Sequence, residues 1–112
     1  MIIDEVGHDI PTDDEGYLVE PTLWDEEIAE QLSRQENLEL NDEHWKVIEF
    51  MRHYYDEHQI AADARFVIKY LANELGYGRK AQKHLFELFP YGYVKQACKI
   101  AGMKRPRAWS TG

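Results

Sequence analysis

The stretch Asn41-Asp42-Glu43-His44-Trp45-Lys46-Val47-Ile48-Glu49-Phe50-Met51-Arg52-His53-Tyr54-Tyr55-Asp56-Glu57-His58 decides the fold class of this chain. Trp45, Ile48, Met51, Arg52 and Tyr55 recur at three- and four-residue steps, the period of one helix face. Asn41 stands where an N-cap belongs. Asp42 and Glu43 follow it in the first turn, where free amides and the positive end of the dipole favour acids. The pattern predicts a helix over about 42–58. Val47, Phe50 and Tyr54 widen its apolar surface beyond a single stripe, which places it in the middle of a core.

Working outward, the same signals predict four more helices. One follows Pro21-Thr22 and runs to about residue 35, with Trp24, Ile28, Leu32 and Gln35 on one face and Asp25, Glu26 and Glu27 in its first turn. Another starts at Asp63 and runs to Leu75, with Phe66, Val67, Tyr70, Leu71 and Leu75 as its buried stripe and Gly76 as its stop. A fourth runs from about Lys80 to Phe89, presents Ala81, Leu85, Leu88 and Phe89, and ends at Pro90. The fifth spans about Tyr93 to Ala101 and is closed by Gly102. Ahead of them, the apolar segments 2–6 and 17–19, separated by Pro11, Asp13-Asp14-Glu15 and Gly16, suggest a small N-terminal hairpin. The expected architecture is mainly α: one domain over 1–112, with a hairpin in 1–20, a five-helix core in 21–102 and a mobile tail in 103–112.

At 112 residues the chain suits one domain with its own core. Its formal charge of −8 is unevenly spread: residues 1–64 hold 19 acidic against 3 basic side chains, and residues 65–112 hold 2 against 10. Either the two parts neutralise each other in the fold, or the basic part meets an anionic or acidic partner. One cysteine excludes an intramolecular disulfide. No charged and apolar leader opens the chain, and no apolar run approaches the ~20 residues of a membrane span, so a cytoplasmic protein is expected.

Cys98 is the only side chain suited to thiol chemistry, and its own spacing leaves two readings open. Val94, Ala97, Cys98 and Ala101 form the stripe of a short core helix, and free cysteine is among the most buried residue types. A position near a helix C-terminus also raises a thiol pKa. Against this stand the cations Lys95, Lys99, Lys104, Arg105 and Arg107, of which Lys95, three residues back, is expected to share the cysteine's face and favour a thiolate. Glu49 and His53 are four apart, but no third metal ligand stands at a recognisable spacing, and no metal site is expected. Phosphate-loop, nucleophilic-serine and paired-cysteine motifs are absent from the sequence, which leaves a conventional hydrolase or nucleotide-binding enzyme without support. The third and fourth helices, joined at Gly76-Tyr77-Gly78, make a helix-turn-helix. Arg79, Lys80, Lys83 and His84 open its second helix, either as nucleic-acid contacts or as solvated residues at an ordinary helical corner.

The run Leu88-Phe89-Pro90-Tyr91-Gly92-Tyr93-Val94-Lys95-Gln96-Ala97-Cys98-Lys99-Ile100-Ala101-Gly102 resembles the signature of the DsrC/TusE family, also described as the gamma subunit of dissimilatory sulfite reductase. Asp14-Glu15-Gly16-Tyr17-Leu18, Asn37-Leu38-Glu39-Leu40, Glu43-His44-Trp45, Arg52, Tyr54-Tyr55 and Arg65 extend the likeness over almost the whole chain. The resemblance implies a helical fold with a flexible C-terminal arm, and a role in passing sulfur as a cysteine persulfide between proteins, as a carrier rather than a free-standing catalyst and without a cofactor. It implies as partner a sulfurtransferase of the TusBCD or DsrEFH kind, or a sulfite reductase-like complex. DsrC-type members carry two arm cysteines, one at the position of Cys98 and a terminal one eleven residues later, taken to hold the persulfide. Here that later position is Trp109, and Tyr93 replaces the usual proline. A two-cysteine cycle is therefore excluded for a monomer. Two functions are expected to compete: a sulfur-relay accessory or carrier with Cys98 as a one-thiol persulfide acceptor, and a non-catalytic regulatory or DNA-binding paralogue. Lys95, Lys99, Lys104 and Arg105 are the candidate thiolate-supporting or docking residues of the first, and Arg79, Lys80 and Lys83 the candidate nucleic-acid contacts of the second.

Overall fold

Helices dominate the computed structural model, which describes residues 2–3 and 7–104. The N-terminal segment folds back twice, and its pairing differs from the expected one. Among the described residues, Ile3 bridges Asp9, and Thr12 bridges Leu18, each as a single antiparallel bridge. The Asp13 carboxylate closes the second reversal by accepting from the amides of Glu15 (2.9 Å) and Tyr17 (3.0 Å), with Gly16 at φ +91° supplying the left-handed residue that the turn needs. Ile2, Ile10, Tyr17 and Leu18 are buried, so this ribbon is held by the helical core rather than by its own ladder. Residues 4–6 of the expected hairpin lie outside the described residues.

A 3₁₀ turn, Pro21–Leu23, precedes helix α1 (Glu26–Gln35), whose N-cap Asp25 accepts from the Ile28 amide at 2.9 Å. Ile28, Ala29 and Leu32 face the core. Trp24 was expected to begin this stripe. It instead sits in extended backbone between the turn and the helix, because the helix is capped one residue later, by Asp25. Helix α2 (Asp42–His58) matches the expected bounds. Asn41 Oδ1 accepts from the amides of Glu43 and His44, and His44 Nδ1 accepts from the Asn41 amide at 3.1 Å, a reciprocal capping box. Val47, Ile48 and Met51 are fully buried, each contributing roughly 1.5–3 kcal/mol of transfer free energy.

Helix α3 (Ala64–Asn73) packs on α2 and on α4 (Ala81–Leu88), and a 3₁₀ turn, Gly78–Lys80, leads into α4 to complete the helix-turn-helix corner. Glu43 on α2 ties this corner down, its carboxylate accepting from the Tyr77 hydroxyl and pairing with His84. Val67 and Leu71 carry the α3 core contact. Phe66, expected in the buried stripe, is 42% exposed. It stacks on Tyr54 (centroids 5.5 Å), while Phe50 stacks on Tyr70 (4.6 Å), so an aromatic row lies along the outer seam of α2 and α3.

The fifth helix forms where expected but with different winding. Tyr93–Cys98 is a π-helix, and the helical winding continues to Ile100. A Schellman closure ends it: the Gly102 amide donates to the Lys99 carbonyl (3.1 Å) and the Met103 amide to the Cys98 carbonyl (3.0 Å). Met103 is fully buried, so the packed chain runs one residue past the expected start of the tail. The rest of that tail, 105–112, lies outside the described residues. No helix among the described residues is long and apolar enough to cross a membrane.

Candidate functional site

Cys98 closes the π-helix with its side chain turned into the core, and it is 0% exposed. The Tyr93 hydroxyl donates to the Ala62 carbonyl and is also hydrogen-bonded with Cys98. Burial pushes the Cys98 thiol up to about 12, an effect that the Tyr93 hydrogen bond only partly offsets. In this closed state the neutral thiol is the favoured form at pH 7. Burial likewise raises the Tyr93 phenol far above its ordinary value.

Among the described residues, none of Lys95, Lys99 and Lys104 contributes to the shift of this thiol. Lys95 points to solvent while Cys98 points inward, because the i→i+5 winding of a π-helix removes the shared face that three-residue spacing makes in an α-helix. Lys99 is half-buried, with its Nζ 3.7 Å from Glu36 Oε1 and 5.1 Å over the Tyr17 ring. Its charge is compensated there. Lys104 is exposed, and Arg105 lies outside the described residues. Arg79, Lys80 and Lys83 are all exposed at the start of α4, a helix end where the dipole disfavours cations.

The residues that hold the Cys98 helix from outside were not among the expected site residues. The Trp24 indole N–H donates to the Ile100 carbonyl at 2.9 Å. The two terminal nitrogens of Arg52 donate to the carbonyls of Ala101 (3.1 Å) and Pro21 (3.2 Å), and the guanidinium lies 4.5 Å over the Trp24 ring. These side chains take up carbonyls that a helix C-terminus leaves without intrahelical partners. Gly102 lies so close beneath Trp24 that a Cβ there would sit 2.3 Å from Cδ1. One sequence signal existed: an arginine in the apolar stripe of α2 must find buried acceptors or leave the core. On the opposite side, the Tyr17 hydroxyl donates to the Val94 carbonyl at 2.9 Å, which ties the N-terminal turn to the same helix.

The fold and site together define a small helical domain with a single thiol sealed in its last helix, a helix gripped from two sides by the N-terminal half. The family model described as DsrC like protein matches residues 5–108. The sulfurtransferase TusE of Salmonella typhimurium is 42% identical over 106 residues, covering 95% of this chain and 96% of that protein. The solution structure of DsrC from Allochromatium vinosum superposes with a TM-score of 0.83 at 41% identity, covering 97% of this chain and 96% of the other. The oxidised gamma subunit of dissimilatory sulfite reductase from Archaeoglobus fulgidus does so with a TM-score of 0.79 at 30% identity, covering 96% and 97%. The chain belongs to the DsrC-like family. It is a sulfur-relay protein of the DsrC/TusE type.

Proposed function

We propose that this chain is a one-thiol accessory of the relay, acting in the cytoplasm by docking on a sulfurtransferase or a sulfite reductase-like complex and accepting sulfur on Cys98 when its helix opens. The observation that carries this reading is the Tyr93–Cys98 segment itself, where the one cysteine of the chain closes a π-helix, a winding often found at functional positions. In the step proposed, the Cys98 thiolate attacks the terminal sulfur of a donor persulfide. The donor's S–S bond breaks, a new S–S bond forms on Cys98, and the donor cysteine leaves as thiolate and takes up the proton. No oxidant is consumed. Exposed Lys95 and Lys104, with Arg105 beyond them, are the proposed docking cations for an acidic partner surface. The test is intact mass after incubation with a persulfide donor or a loaded sulfurtransferase: wild type should gain one sulfur atom's mass and Cys98→Ala none. Failure with several unrelated donors would overturn the carrier role.

The burial of Cys98 favours a second reading, a regulator that docks on the same partners without carrying sulfur. Partner binding by Cys98→Ala with wild-type affinity, together with no sulfur loading, would establish it. The nucleic-acid alternative has only the exposed Arg79, Lys80 and Lys83 in its favour and gains nothing from the family comparisons.

A further inference from the structure

Cys98 meets neither solvent nor a donor until the turn that carries it opens, and the bonds around that turn show what must give way. Its carbonyl and that of Lys99 are bound within the turn, by the amides of Met103 and Gly102. The next two carbonyls, of Ile100 and Ala101, are taken by side chains from distant parts of the chain, the Trp24 indole and the Arg52 guanidinium. Arg52 also binds the Pro21 carbonyl, so one planar cation fastens the end of the last helix to the segment entering α1, with the Trp24 ring lying close to both Arg52 and Gly102. Loss of either side chain leaves a carbonyl in a largely buried place without its donor, a cost that falls on the closed state and not on the open one.

We propose that Trp24 and Arg52 form a latch on the last helix, and that its release is the local opening that brings Cys98 to solvent. They are positioning residues: neither touches the sulfur, and both act through the backbone of residues 100–102. This inference rests on the proposed role of Cys98 for its biological meaning, but the opening itself is measurable without any sulfur transfer.

The test is the rate of Cys98 alkylation by iodoacetamide at constant pH in the full-length chain. Arg52→Gln should raise it by at least about tenfold, the effect expected from losing a charged hydrogen bond to a buried carbonyl. Trp24→Phe, which keeps an aromatic ring but removes the indole N–H together with part of the ring, should raise it by a smaller factor and serves if Arg52→Gln does not fold. Leu71→Ala, a core truncation on α3, is the control for global loosening. In amide hydrogen exchange, the protons of Gly102 and Met103 should lose protection in the latch variants while those of α2 and α3 keep theirs. Equal acceleration by Leu71→Ala at matched melting temperature, or no acceleration by either latch variant, would overturn the latch. Faster alkylation in the latch variants, with no sulfur loading in any of them, would sink the carrier reading and leave the latch standing.

Discussion

His44 Nε2 lies 2.7 Å from the Leu88 carbonyl oxygen and joins the first turn of α2 to the last turn of α4. Nε2 therefore carries the proton, which leaves Nδ1 to accept from the Asn41 amide, and the ring is neutral with both nitrogens used. Burial lowers its pKa from 6.5 despite the Leu88 bond, which favours the charged form. Below pH 6.5 the unfolded chain binds a proton that the folded chain resists, so stability is full above that value and falls as pH drops towards the lowered one. Melting temperature should decline as pH is taken from about 7 to 5. His44→Gln should flatten that decline, and an unchanged slope in the variant would contradict this assignment.

Glu43 adds a second acid-sensitive step at lower pH. Its carboxylate is held below the usual range, first by the Tyr77 hydroxyl and then by His84. A lowered carboxylate contributes stability above its unfolded value that is lost as pH falls through the folded one, so this step lies below about pH 4.5. Because Glu43 is more than a third exposed, the effect should be small. Glu43→Gln should remove it, read as the difference between wild-type and variant urea midpoints at pH 3 and pH 7.

Gly102→Ala combines two faults, a side chain at φ +79° and a Cβ 2.3 Å from Trp24 Cδ1. Destabilisation of about 2–3 kcal/mol is expected in urea unfolding. A loss within ~0.5 kcal/mol would show that the Trp24 ring moves aside without cost.

Met103 sets where the chain can be cut. The complete stripes of the helices suggest that everything after Gly102 is dispensable, yet Met103 is fully buried and its amide caps Cys98. A protein ending at Lys104 should melt like the full chain. One ending at Gly102 should lose about 2–5 kcal/mol, the range for emptying a buried methionine site. Equal melting temperatures for the two would contradict the structural role of Met103.

Cys98 should react as a buried thiol. Alkylation runs through the open state, and because the closed state holds the thiol protonated, with its pKa pushed up to about 12, the rate should keep rising with pH well beyond 9, whereas for an exposed cysteine it levels off near the ordinary value. Oxidant should produce a covalent dimer slowly, faster in urea, and not at all in Cys98→Ser. Rapid native dimerisation would place the thiol at the surface.

The parts of this protein readable from sequence are those governed by near neighbours along the chain. Asn41, its acidic followers and the recurring apolar residues are all within a few turns of one another, so the bounds of α2 followed from capping and period alone. The stops at Gly76, Pro90 and Gly102 are equally local, and the C-terminal signature pointed to the family that the comparisons established. What only the tertiary structure decided are relations between residues far apart in sequence. Nothing in their spacing shows that Trp24 and Arg52 meet at the carbonyls of Ile100 and Ala101, that Thr12 pairs with Leu18, or that Phe66 opens to solvent. The π winding also belongs to this group, since a register one residue wider leaves the residue types unchanged. It is enough to put Cys98 in the core and Lys95 in water. The charge and reactivity of a side chain depend on which atoms surround it, and for Cys98 those atoms are brought by Tyr93 and by the packing of the whole domain.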